Sequence, residues 1–444
     1  MVDQPSISLW RAHRNVKLRL MVAFINRFLA FMLAPLMAIL FATSFGARAA
    51  GLMLALVVVA TMCCSFLGGH LADVRGRRAT LLISEAGVLV AYTCMWLANS
   101  PWWHNPELTY GAFLLNSCMG GLGFPASDAV MMDIATPQTR SAIYTANYWL
   151  MNLAFASGAL VGGLFHGSQF GWLLLLGLVL CSTSYATTVF ALVETKPRAS
   201  ADRAGRPPGK GVRSAIRQYR YAAADRVFIR LTCAAVLITT VEMQLTYYLG
   251  IHLAAHFTPR TLLQVENWRL TVDGIGMLSV LRMLNTVLVV ALALVVGRLL
   301  RALGDRVRMY AGITVFVIGF MGLALTRDPW LLIGCSLVYT VGELMNVPVR
   351  QGMLADLVDP VHRSRYMALY GMRPRAAALL ASLSVVVGAM LPSAGMAVLY
   401  ALLGCTAMLL LRRPFRTSLE LRRAAALAAL SEPNPDTDKA VPVR

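Results

Sequence analysis

A few ionisable side chains interrupt long apolar runs, and these are the residues best placed to do chemistry. Glu343 falls near the middle of a run around 330–355, and Glu242 lies about eight residues from the outer end of a run around 228–250. Arg282 lies at a similar distance, about eight residues, from the outer end of the next run. Neighbouring runs are antiparallel, so Glu242 and Arg282 share a depth and could form an ion pair. Arg27 lies roughly 13 Å into the first run at 1.5 Å per residue. Asp128 sits at a comparable depth, in the inner third of its run, so it can pair with Arg27 or reach inner water. Charges at such depth are costly and mark substrate or ion pathways. In a dry site the neutral form of a carboxylate is favoured, so it can take up and release a proton as water access alternates. Glu242, Glu343 and Asp128 are therefore the proton-coupling candidates, against the competing reading of static salt bridges or polar cavity walls. Asn26, Arg27, Gln244 and Arg282 are the substrate or ion-pair candidates. Tyr148, Trp149, Asn152 and Tyr247 can line a path for an amphipathic ligand or simply pack.

The elements that must position these groups are membrane-spanning helices. Of 444 residues, 58% are hydrophobic and 14% charged, with a mean hydropathy of +0.63, and a soluble protein of this size needs far more polar surface. Spans are expected at roughly 18–41, 49–70, 79–98, 108–132, 141–165 and 170–193, each about the 20 apolar residues that cross a bilayer. A second set falls at roughly 228–250, 274–299, 309–326, 330–355, 365–391 and 394–411. The fold class is an all-α membrane protein of twelve transmembrane helices in two pseudo-symmetric six-helix bundles. The first run contains Arg27 and Pro35 and is too long for a signal peptide's apolar core, so it is expected to be a retained helix.

The net charge of +19 raises a nucleic-acid reading, but the Lys and Arg lie in short segments between apolar runs. They concentrate on alternate connections, and the positive-inside rule then places both termini in the cytoplasm, in the cell's inner (plasma) membrane. The expected partners are the lipid bilayer, a small-molecule substrate and protons, with no nucleic acid and a monomer as the default. The eight cysteines all fall inside expected spans without metal-ligand spacing, so they read as packing residues, with no metal or cofactor. His70, His166, His252, His256 and His362 are scattered over different loops, so no catalytic cluster is expected and the chain is not read as an enzyme.

The organisation expected is a first bundle over 1–193, a cytoplasmic linker over 194–226, a second bundle over 227–411 and a cytoplasmic tail over 412–444. The linker is rich in Pro, Gly, Ala and Arg, and Val212–Ala224 within it reads as an amphipathic helix on the inner leaflet. The tail is basic up to 430 and has a disordered composition from 431. An internal repeat supports the division. A shift of 223 residues superposes Pro125 on Pro348, Asp133 on Asp356, Pro137 on Pro360 and Arg140 on Arg363. Pro35, Pro125 and Pro348 remove helix hydrogen bonds and are expected to kink their spans.

The most specific string is GGHLADVRGRRATLL, Gly68 to Leu82, at the end of the second span. It resembles the loop signature of the major facilitator superfamily, G-x-L-A-D-x-x-G-R-R/K, with Gly69, Leu71, Ala72, Asp73, Gly76, Arg77 and Arg78 at the defined positions. Gly69 permits close helix contact and Gly76 a tight turn, while Asp73 can accept from a helix N-terminus. The resemblance implies a conformational latch through Asp73, to the eleventh span, and alternating access with the halves rocking about a midplane site. In the second half Arg301 stands where Asp73 stands in the first. The chain is similar to the twelve-span drug:proton antiporter group, with two departures. That group carries an Arg four residues before a Gly in the fourth span, where this chain has Asn116 and Gly120. It also has a Gly-Pro pair in the fifth span, where this chain has Gly158-Ala159-Leu160-Val161-Gly162-Gly163. The expected function is proton-coupled efflux of hydrophobic or amphipathic small molecules, the alternative being a proton-coupled symporter importing a peptide, sugar or organic anion.

Overall fold

The computed structural model describes residues 14–134, 140–165, 167–192, 223–265, 268–299, 303–358 and 363–431. The first bundle is built of spans Arg14–Phe45, Ala47–Arg75, Arg77–Ala98, Pro106–Ile134, Arg140–Leu164 and Phe170–Ala191. The eighth, ninth and tenth spans are Gly274–Leu299, Asp305–Leu325 and Pro329–Leu357, and the twelfth belongs to the helix Ser393–Ser431. Among the described residues eight helices are long and apolar enough to cross a bilayer, and two shorter apolar helices cover Trp149–Leu164 and Gly274–Val289. Large apolar side chains such as Leu52, Phe66, Trp172 and Phe190 point outward, a surface that suits hydrocarbon and not water. The expected linker at 194–226, with its amphipathic stretch, falls mostly on 193–222, and the tail end on 432–444. Both stretches lie outside the described residues.

The two halves repeat each other's packing. In the first, the third span packs on the fourth and sixth, the second on the fourth, and the first on the fifth. In the second, the ninth packs on the tenth and twelfth, the eighth on the tenth, and the seventh on the eleventh. Each half has its own apolar core, one around Met32, Phe41 and Leu174, the other around Phe228, Phe316 and Leu281. The halves meet where the second span lies on the eleventh and the fifth on the eighth, a pair of contacts that the same pseudo-symmetry relates. Small residues let the backbones close. Gly158 and Gly162 lie directly on the first-span backbone at Phe28 and Met32, as the GALVGG spacing anticipates. Gly51 meets Ser382 and Val386, and Gly163 meets Ser279, at the end of the molecule opposite the termini.

Two spans that the sequence presents as continuous are broken. The seventh, expected over roughly 228–250, consists of Arg226–Glu242, a 3-10 turn at Met243–Leu245 and a second helix, Tyr248–His256. The break is held by Gln244, whose amide donates to the Thr240 carbonyl (3.1 Å) and accepts from the hydroxyls of Ser384 (2.8 Å) and Tyr400 (3.4 Å). The eleventh consists of Arg363–Tyr370 and Arg373–Gly388, and Pro374 opens the second piece. Proline lacks the N–H that a continuous helix needs and is tolerated in a first turn, so the chain stops and restarts there. Conversely, the twelfth helix does not end near 411. It runs 39 residues through Pro414 to Ser431, about 58 Å at ~1.5 Å per residue. Its extension packs back on the second bundle. Arg422 bonds Asp356 (2.6 Å) and Asp305 (2.8 Å), Ser418 also bonds Asp356, and Phe415 lies against Tyr310. The connection between the seventh and eighth spans is a β-hairpin, Arg260–Val265 paired with Trp268–Val272, which the hydropathy pattern does not announce.

One ion pair belongs to the interior of the first bundle. Arg19 of the first span is 2% exposed; its Nη1 contacts Glu85 Oε1 of the third span at 3.3 Å and its Nη2 donates to Ser127 Oγ of the fourth at 2.6 Å. Removing one partner strands the other charge in the protein. Arg19→Met or Glu85→Leu alone should therefore destabilise the folded protein by about 3–5 kcal/mol, with partial recovery in the double variant. Thermal unfolding in detergent measures this, and equal melting temperatures for the singles and the parent would contradict it. Backbone contact gives a second test. A Cβ on Gly68 would meet the Leu122 backbone, whereas one on Gly120 meets nothing. Gly68→Ala should lower the melting temperature, and Gly120→Ala should leave it unchanged.

Candidate functional site

Two polar regions stand out, one in each bundle. The first is a cavity of about 410 Å³ lined mainly by the first four spans. Arg19, Arg27, Glu85, Asp128 and Asn26 line it from the first bundle, and Arg375 enters from the second. Leu29, Leu33, Tyr92, Phe113 and Phe124 supply apolar wall. Here Asn26, Arg27 and Asp128, three of the residues singled out from the sequence, come together. The Arg27–Asp128 pair does not close into a salt bridge. The fifth span packs tightly on the first, and Arg27 Nη1 donates to Asn147 Oδ1 of that span at 2.7 Å. Asp128 remains within electrostatic reach of Arg27, Arg19 and Arg375, half-buried at the cavity wall. Arg375 comes from the second piece of the eleventh span. It donates to Ser65 Oγ of the second span (2.9 Å) and lies over the Phe124 ring at 5.3 Å.

The second region lies in the second bundle. Glu343 Oε2 accepts from Asn285 Nδ2 at 3.0 Å, and the same amide donates to Thr340 Oγ1 at 3.0 Å. Glu242 closes the first piece of the seventh span, with Glu343, Arg350 and Arg373 as electrostatic neighbours. Glu242 is exposed, whereas Glu343 is half-buried. Arg350 is buried with Nη1 lacking a hydrogen-bond partner.

The expected Glu242–Arg282 ion pair is absent. The turn at 243–247 changes the phase of the seventh span, so Thr246, not Glu242, meets the eighth. Arg282, 3% exposed, donates to Thr246 Oγ1 and lies 5.9 Å from the Phe155 ring of the fifth span. Gln244 is fully buried in the break and bonds protein groups, and it does not line the cavity. Of the aromatic and polar candidates, Trp149 is exposed and Tyr247 half-buried, and the Tyr148 side chain lies outside the described residues.

The loop after the second span has the local geometry its residues require. Gly76 has φ of +98°, a conformation open to glycine and strained for other residues, and it turns the chain into the third span. Arg77 Nη1 donates to the Ala129 carbonyl (3.0 Å) and Arg78 Nη2 to the Val189 carbonyl (2.7 Å), tying the loop to the fourth and sixth spans. Gly69 lies against Pro125, Leu71 is half-buried, and Asp73 is exposed at the helix end. Arg301, the second-half counterpart of Asp73, lies outside the described residues.

Sequence reasoning missed Glu85, Arg19, Asn285 and Arg350. Glu85 carried a usable signal, being the one carboxylate between Arg77 and Ala98. Arg19 was hidden because it closes the basic stretch RNVKLR, which reads as a membrane-flanking segment.

Comparison with known proteins accords with this architecture. The Major Facilitator Superfamily description matches residues 20–372. A Na(+), Li(+), K(+)/H(+) antiporter of Planococcus maritimus is 27% identical over 385 residues, covering 84% of this chain and 89% of that protein. The uncharacterized MFS-type transporter YdeE of Escherichia coli is 22% identical over 356 residues, covering 78% and 82%. A POT family transporter solved with 5-aminolevulinic acid superposes with a TM-score of 0.67 at 14% identity, over 94% of this chain and 98% of that one. The nucleoside transporter NupG gives 0.63 at 13% identity, over 92% and 100%. These structural likenesses speak to the fold alone. With twelve spans in two repeated bundles and a family match from the first span into the eleventh, this multi-pass membrane protein belongs to the Major Facilitator Superfamily of transporters.

Proposed function

We propose that this transporter is a proton-coupled antiporter that exports small hydrophobic or amphipathic molecules by alternating access, with both termini in the cytoplasm. The units that rock are taken as residues 1–193 and 227–411. The observation that carries the reading is the Glu343–Asn285–Thr340 network beside Glu242, at mid-depth in one bundle, with a ligand-sized cavity in the other. A carboxylate that loses water contact favours its proton-bound form, and one opened to water releases the proton. Glu242 and Glu343 are exposed to different degrees, so a proton can load on one and be shared with the other as the bundles move. The similarity to an antiporter over most of both chains supports exchange over co-transport. The same relative favours a second reading, in which the cargo is a monovalent metal cation.

Purified protein in liposomes with an imposed pH gradient separates these readings. Addition of an amphipathic substrate should dissipate the gradient, and Glu343→Gln and Glu242→Gln should each lower the rate about a hundredfold or more, the scale of a lost acid–base group. Parent-like exchange in both variants would remove the coupling assignment. Dissipation by Na⁺, Li⁺ or K⁺ alone would select the metal-cation cargo, and gradient-driven accumulation of a polar solute would reverse the direction to import. For the loop after the second span, Asp73→Asn should slow exchange while leaving substrate binding intact; an unchanged rate would count against a latch at Asp73.

A further inference from the structure

The cavity of the first bundle is electrically unbalanced. Three guanidiniums, Arg19, Arg27 and Arg375, line it against two carboxylates, Glu85 and Asp128. Glu85 is already engaged by Arg19 at 3.3 Å. That leaves Arg27 and Arg375 to share the field of Asp128, to which neither is joined by a salt bridge. Each of the two makes one hydrogen bond to a neutral oxygen, Arg27 to Asn147 and Arg375 to Ser65. A guanidinium has five N–H donors, so both have donors left for a ligand, in the planar fork that matches a carboxylate. A local excess of positive charge in a cleft attracts a counter-charge.

The rest of the wall decides the shape of that counter-charge. Leu29, Leu33, Val88 and Phe113 offer apolar surface, and the volume of about 410 Å³ falls in the usual range for small-molecule sites, roughly 300–1,000 Å³. Arg375 is the one lining residue contributed by the second bundle, so a ligand bonded to both guanidiniums touches both halves. A cationic ligand would find Asp128, but it would add to an existing positive excess.

We infer that the cavity binds an amphipathic organic anion, its carboxylate bridging Arg27 of the first bundle and Arg375 of the second and its apolar body resting on Leu29, Leu33 and Phe113. The inference rests on reading this cavity as the substrate site, and it is tested by binding, independently of transport. Calorimetric titration of the full-length protein in nanodiscs would use three probes of one shape: naphthoate, naphthalenemethanol and naphthylmethylammonium. Naphthoate should bind about tenfold more tightly than the alcohol, as a charge-assisted contact allows, and the ammonium most weakly. Arg27→Gln and Arg375→Gln should each remove that advantage, and melting temperatures in detergent equal to the parent's show that the variants fold. Asp128→Asn, which removes the competing carboxylate, should tighten naphthoate, a gain that a merely structural role would not produce. Tightest binding of the ammonium, naphthoate affinity unmoved by both arginine variants, or no binding of any probe would each overturn the inference. Glu343→Gln should keep naphthoate binding even while proton exchange is lost, so failure of the antiport reading leaves a separate signature.

Discussion

Hydrocarbon offers no hydrogen bonds, so every polar group placed in a membrane must find its partner inside the protein. This constraint explains why the described residues are helical almost throughout and also why the exceptions among them fall where they do. The break in the seventh span frees backbone groups at 243–247, and Gln244 stands there with bonds to the same span, the eleventh and the twelfth. Arg19 is admitted to the interior with Glu85 and Ser127, and Glu343 with Asn285. These deep charges come with a neighbour from a different span, so they also help fix which helices lie together.

The two bundles are alike in packing and unlike in chemistry. The same span-to-span contacts recur after the repeat, and the interfaces between halves obey the same symmetry. Yet the first bundle encloses the roomy charged cavity, while the second holds two carboxylates next to a broken helix. At the end bearing the termini, the first bundle is tied by Arg77 and Arg78 to helix carbonyls. The second is tied by Arg422 to Asp305 and Asp356. Different residues thus brace corresponding places, and Asp356, the repeat partner of Asp133, is one of them.

Much of the fold was legible because hydropathy reports burial in lipid directly, and a run of apolar residues has one stable outcome there. The loop from Gly69 to Arg78 was legible because glycine at Gly76 answers a backbone need that other residues do not meet. Helix breaks were less so. Pro374 was visible, but the seventh span carries neither Pro nor a Gly at its break, and Gln244 declares its role only when Ser384 and Tyr400 are seen beside it. The ion-pair expectation for Glu242 and Arg282 failed for that reason, since it assumed an unbroken 3.6-residue period between Glu242 and the outer end. Asp128 and Arg27, read as a possible pair from the sequence, do line one cavity. What the sequence could not supply was Asn147 from the fifth span or Arg375 from the other half, because contacts between distant segments leave no local pattern.

The long twelfth helix has a mechanical side. Its 39 residues outlast the bilayer, and its extension is pinned through Arg422 to the starts and ends of two other spans of the same bundle. A rod clamped in this way turns with the body it is clamped to. When the second bundle tilts by a few degrees, the far tip near Ser431 sweeps an arc enlarged by its distance from the pivot. The helix is therefore a built-in pointer, and a spectroscopic label on its exposed face at Leu427 would read the attitude of one half of the transporter from outside the membrane.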